Sequence, residues 1–168
     1  MPILGATAQV NRLQPSSDFL IWLGQGQYAY SLFDDGTQLV LKGNMQRSNA
    51  SALPLERMAV GGVNTVRGYR ENQLVRDEGF SSSVEVHYPV FREQHHQLFV
   101  VPFMDYGAAW NKAQKGDYLH SAGVGLNWRF DSLTTEFYWA HALSYTSLKQ
   151  HSDPQDDGFH FQVKVDAF

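Results

Sequence analysis

Three charged side chains stand out for the chemistry they could do. Arg67 sits in the string Val66-Arg67-Gly68-Tyr69, shortly after Gly61-Gly62, and the carboxylates Glu85 and Asp105 follow downstream. Two carboxylates can act as acid and base in hydrolysis, but no substrate cleft or positioned nucleophile is evident beside them, so no enzymatic activity is expected. An arginine in a loop is, taken alone, ordinarily a solvated one. Gly24-Gln25-Gly26 is too short for a dinucleotide fingerprint and falls inside an expected strand. Of the seven histidines, His95 and His96 adjoin in a turn and the others have no ligand spacing, so no metal or other cofactor is expected. The absence of cysteine removes disulfides, thiolate metal sites and thiol nucleophiles together. A net charge of -4 without a basic stretch argues against a nucleic-acid partner.

The elements that must position these residues are strands. Alternation with a period of two covers nearly all of the 168 residues, and no stretch has a helical period. Eight strands are expected: 3–11, 19–33, 38–46, 80–91, 97–111, 118–130, 133–145 and 159–167. In the clearest, Tyr118, His120, Ala122, Val124, Leu126, Trp128 and Phe130 face one way, and Leu119, Ser121, Gly123, Gly125, Asn127 and Arg129 the other. Phasing the neighbouring segments alike puts Glu85, with Ser81, Ser83 and His87, on a small, polar face. Asp105, with Gly107, Ala109 and Asn111, takes the same face. The connections alternate in length. Those at 34–37, 92–96 and 131–132 are short, and those at 12–18, 47–79, 111–117 and 147–157 are long, so an up-and-down sheet would have tight turns at one end and long loops at the other.

Alternation alone also suits a soluble barrel whose bulky face is the core and whose polar face meets water. Aromatic residues near strand ends on the bulky face, among them Trp22, Tyr30, Tyr88, Trp110, Tyr118, Trp128 and Tyr145, favour a transmembrane barrel, where such residues form interfacial girdles. A mean hydropathy of -0.36 and the lack of a roughly 20-residue apolar run exclude membrane-spanning helices but not strands. Loop 47–79 is about twice the length at which a structureless connection becomes unusual, which marks it as functional.

Val66-Arg67-Gly68-Tyr69 resembles the VRG[FY] motif in an outer loop of the bacterial surface-antigen superfamily of outer-membrane polypeptide transporters. The longer string, from Gly61-Gly62 through Val66-Arg67-Gly68-Tyr69-Arg70-Glu71-Asn72 to Asp77-Glu78-Gly79, is most similar to the two-partner secretion transporters of the ShlB/FhaC/HecB (TpsB) type. Phe103-Met104-Asp105-Tyr106-Gly107 resembles the family's F-x-D-x-G strand, Gly123-Val124-Gly125 its small-residue strand, and Phe168 its terminal aromatic. The strands before residue 47 match only in alternation.

The resemblance implies an all-β, antiparallel, up-and-down transmembrane barrel. The chain's 168 residues would be a barrel domain of about eight strands, the C-terminal half of a sixteen-stranded barrel. In the family, loop 47–79 would fold into the lumen, where Arg67 pairs with carboxylates of the inner wall. Glu85 and Asp105 have the matching phase, and a guanidinium fork suits carboxylates. Gly61 and Gly62 would let the loop reverse, and Gly68 would let the backbone approach closely. The implied function is translocation and activation of a haemolysin- or adhesin-type exoprotein across the bacterial outer membrane. Partners would be outer-membrane lipid, the secreted client, the outer-membrane assembly machinery, and a missing barrel half or a second copy. The alternatives are an outer-membrane protein assembly factor and a small structural or adhesive eight-stranded barrel without transport. The chain as written shows no signal peptide and starts at a strand, without the periplasmic domains that family members carry. Phe168 falls on the polar phase of the last strand, so either a bulge resets the phase near Ala167 or the chain inserts poorly.

Overall fold

The computed structural model describes residues 20–93, 95–112, 114–144 and 157–165. Its main feature is a seven-stranded antiparallel sheet built from β1 (Ile21–Ser31), β2 (Gln38–Ser48), β5 (Glu78–Arg92), β6 (His96–Trp110), β7 (Asp117–Phe130), β8 (Leu133–Ala142) and β9 (Phe159–Val165). Each strand pairs with its sequence neighbour in the sheet, in the order β1-β2-β5-β6-β7-β8-β9. The protein is therefore all-β and antiparallel. The strand expected at 3–11, Tyr145 and Phe168 with its phase question lie outside the described residues.

Tight turns join β1 to β2, β5 to β6 and β7 to β8 at one end. In the first, the Asp35 carboxylate accepts the Thr37 backbone N–H at 2.8 Å, the local hydrogen bond that suits Asp to turns. The connection from β2 to β5 is not structureless. It holds a 3-10 turn at Pro54–Glu56 and a two-stranded antiparallel hairpin of β3 (Met58–Val60) and β4 (Leu74–Arg76). A long segment can pair its own backbone groups in this way instead of leaving them unsatisfied against the sheet.

The two faces of the main sheet differ sharply. Bulky apolar residues point outward: Met104 is 63% exposed, and Val84, Leu126, Phe161 and Val163 are exposed as well. Trp22 and Tyr118 are exposed near the loop end of their strands, and Tyr30, Tyr88 and Trp128 near the turn end. Along β5, β6 and β7 the opposite face is buried although it carries Ser81, Ser83, Glu85, Asp105, Ser121 and Asn127. The bulky face is thus not the core. An exposed apolar surface of this extent marks a contact with a protein partner or a membrane, and the polar face of β5, β6 and β7 is covered by the 49–77 connection.

Apolar contacts seat that connection. Met58, Val60, Val66, Tyr69 and Leu74 pack with Ala109 of β6 and Leu119 of β7. Val63 packs against Phe103, Tyr138 and Ala140. Gly107 makes the fit possible, because a Cβ there would lie 2.6 Å from Val60 and 2.8 Å from Val66. The sheet curls around the loop: one cavity of about 470 Å³ is lined by Gln25 and Gln27 of β1, Lys42 of β2, Glu136 of β8, Lys164 of β9 and Asn64 of the loop.

Candidate functional site

Arg67 is at the centre of the loop-to-sheet contact, with 4% of its surface exposed. Its Nε donates to Asp105 Oδ2 at 2.8 Å and one terminal nitrogen to Oδ1 at 2.7 Å, a two-bond fork. The Arg67 backbone N–H adds a third bond to Oδ2 at 3.0 Å. The same terminal nitrogen lies 2.9 Å from Glu85 Oε1 and donates to Ser83 Oγ at 2.8 Å. The Ser83 hydroxyl in turn donates to Asp105 Oδ1 at 2.6 Å. Glu85, 1% exposed, is also held by Lys42 Nζ at 3.0 Å and contacts His87 Nε2 at 2.8 Å. Two carboxylates thus face two fixed cations, so the buried cluster is charge-balanced while the loop is seated.

Two rings complete the berth. The guanidinium carbon lies 3.5 Å from the centroid of Phe103 and 4.7 Å from that of Tyr138, within cation–π range. The small-residue strand β7 leaves room for both: a Cβ on Gly125 would come within 2.4 Å of Tyr138, and one on Gly123 within 2.6 Å of Phe103. Burial by itself disfavours a charged guanidinium. The hydrogen bond and charge of Asp105, with the charge of Glu85, outweigh it and raise the pKa of Arg67 above the ordinary arginine value. Arg67 is therefore a permanent cation in this berth.

The backbone around Arg67 follows from glycine. Gly68 has φ +88°, in the left-handed region that favours glycine, and a Cβ there would lie 3.1 Å from that of Ala140 on β8. Gly61 and Gly62, at φ +114° and +100°, open the reversal at the loop tip, where the Gly62 N–H donates to Val66 O. The Tyr69 hydroxyl lies beyond Gly68. It donates to the His120 carbonyl at 2.8 Å and accepts the Ser144 N–H at 3.0 Å, joining the loop to the start of the β8–β9 connection. Tyr69→Phe is expected to leave the ring packed and speed hydrogen exchange at the Ser144 amide by up to about tenfold, the worth of one net hydrogen bond. Unchanged exchange at that amide would show that the hydroxyl adds nothing.

The root of the loop carries a second polar knot. Asp77 accepts the Ala52 N–H and pairs with Arg57 Nε at 3.3 Å. Glu78 accepts from the Ser48 N–H and from Trp110 Nε1. The Gln46 amide donates to the carbonyls of Glu56 and Asp77.

Sequence reasoning named Arg67, Glu85 and Asp105, and missed Lys42, Ser83, Phe103, Tyr138 and His160, whose Nε2 accepts the Gly68 N–H, as members of the site. Phe103 had a usable signal, since it lies two residues before Asp105 and so shares its face. Ser83 and His87 flank Glu85 at the same spacing. Lys42 becomes visible only through the register that sets it opposite Ser83. Nothing local singles out His160.

The arrangement defines a class: an antiparallel sheet, apolar outside, whose polar inner face is filled by one of its own loops through a buried ion cluster. Within that class, the chain belongs to the haemolysin secretion/activation protein family ShlB/FhaC/HecB, whose model matches residues 1–130. The match begins before residue 47, where the resemblance rested on alternation alone, and ends with β7. Among curated proteins, no sequence matches the chain.

Proposed function

We propose that the chain forms part of an outer-membrane β-barrel that passes a polypeptide client, a secreted exoprotein of the haemolysin or adhesin type, from the periplasm to the cell surface. Membership of a secretion/activation family supports this reading. The observation that carries it is the berth of Arg67, a loop seated against the polar inner face of a sheet whose outer face is apolar. The inner face is hydrophilic, so an extended chain could pass along it once the loop moves aside. The ion cluster gives that loop a defined closed position and does no bond chemistry. In this reading the domain spans residues 1–168, with outer-membrane lipid around it and the assembly machinery inserting it.

The test replaces residues 61–73, which include the tip and Arg67, by Asn-Gly. Val60 and Leu74 are partners across the β3–β4 hairpin, so two residues can close it. In planar bilayers the shortened chain is expected to conduct steadily, and the native chain only in rare openings. Co-expression with a haemolysin- or adhesin-type exoprotein should show client in the medium with the native chain. Because the interior is filled, a non-transporting anchor is the second reading. An inserted protein that conducts in neither form and exports no client would favour it and overturn transport.

A further inference from the structure

Beyond the ion cluster, a side chain of the last described strand takes hold of the loop backbone. His160 on β9 is buried, and its Nε2 accepts the backbone N–H of Gly68 at 3.0 Å. Gly68 adjoins Arg67, and Ala140 crowds its other side, so the loop tip is held between β8 and β9. An imidazole accepts at Nε2 only while that nitrogen carries no proton. The imidazolium form is a donor at both nitrogens and cannot take the Gly68 N–H.

The charged and titratable groups facing His160 come from three elements. Arg67 and Glu71 belong to the loop, Asp105 to β6, and Tyr138 is its register partner on β8. A proton on His160 would put positive charge next to Arg67. Of the two carboxylates, Asp105 is already taken up by its bonds to Arg67, and Glu71 accepts the Val63 N–H at 2.8 Å. Neither is placed as a waiting partner for an imidazolium.

We infer that His160 is a positioning residue for the loop: its neutral imidazole latches the backbone beside Arg67 to β9, and protonation opens that latch. The inference rests on the reading that the loop leaves its berth during transport. It adds a proton-sensitive catch on a strand beyond the span matched by the family.

The chain lacks cysteine, so the thiol introduced by Val66→Cys, at a fully buried loop position, reports loop release by maleimide labelling. Its rate is read relative to Leu55→Cys, an exposed site on the same connection, which removes the intrinsic pH dependence of the thiol. In lipid vesicles, relative labelling of the full chain should rise by up to about tenfold, the upper worth of one hydrogen bond, as pH falls from roughly 7.5 to 5.5, because an imidazole released from Gly68 takes up its proton across that range. In the His160→Gln background the amide oxygen still accepts from Gly68, so labelling should stay low at both pH values. In the His160→Ala background it should be high at both. A pH response that survives in His160→Gln, or low labelling in His160→Ala at both pH values, would overturn the latch. Labelling needs no client, so failure of the latch and failure of the transport reading are seen separately.

Discussion

Arg67→Ala is expected to unseat the loop and turn the rare openings of the native chain into steady conductance while the barrel still inserts. The substitution leaves Asp105 and Glu85 buried with Lys42, among the described residues, as the remaining fixed cation beside them, and removing one partner of such a buried set typically costs about 3–5 kcal/mol. At about 1.4 kcal/mol per tenfold, the open fraction of the loop should rise by a hundredfold or more. Labelling of the thiol introduced by Val66→Cys reads this directly. Arg67→Lys should fall between. A lysine keeps the charge, but it cannot offer both fork bonds to Asp105 or the flat face that lies over Phe103. Unchanged labelling together with openings as rare as those of the native chain, from an inserted Arg67→Ala protein, would refute the tether.

The second large effect is expected from a residue with no side chain. Gly107→Val would place its Cβ 2.6 Å from Val60 and 2.8 Å from Val66, and its methyl groups deeper still. The nearest atoms belong to the loop, with one sheet backbone atom, Phe80 O, at 3.3 Å. Valine favours strands, so the sheet should tolerate it while the loop is pushed off. Overpacking of this kind costs about 1–3 kcal/mol, and loop labelling should rise about tenfold or more. Combined with Arg67→Ala the effects should fall well short of additive, because both substitutions release one loop and a loop already out of its berth has little left to lose. Full additivity, or a Gly107→Val chain that fails to insert, would show that the glycine serves the sheet and not the loop.

These two residues also show how legibility divides. Arg67 could be found from its string, and Gly107 from its place two residues after Asp105. The carboxylate partners of Arg67 could be named from phase and resemblance, but the rings beside it and the loop atoms that Gly107 meets could not. The expected strand segments between 19 and 167 each overlap a strand of the main sheet, with ends shifted by a few residues, because period-two alternation is a local property that backbone geometry imposes on any half-buried strand. The 49–77 connection was readable as long and motif-rich, but its hairpin was not. Strands of three residues are too short to show a period.

Alternation sorted side chains into two faces but left open which face was inside. That choice needed the loop. Its seat on the polar face buries Ser83, Glu85 and Asp105 and leaves Val84, Met104 and Phe161 outward. The cluster also depends on register. Lys42 stands opposite Ser83, Ser83 opposite Asp105, and Asp105 opposite Ser121, so one rung of the sheet gathers groups from four strands. A one-residue slip would turn each set to the other face.

The sequence by itself determined the strands, their two faces, the order of long and short connections, and the family string around Arg67, because all of these follow from residue type and near-neighbour spacing. Only the tertiary structure decided that the polar face is the filled one, that Phe103 and Tyr138 lie beside the guanidinium, and that His160 reaches Gly68 from 92 positions along the chain. Those contacts are set by strand register and loop closure, and neither is encoded in any short stretch of residues.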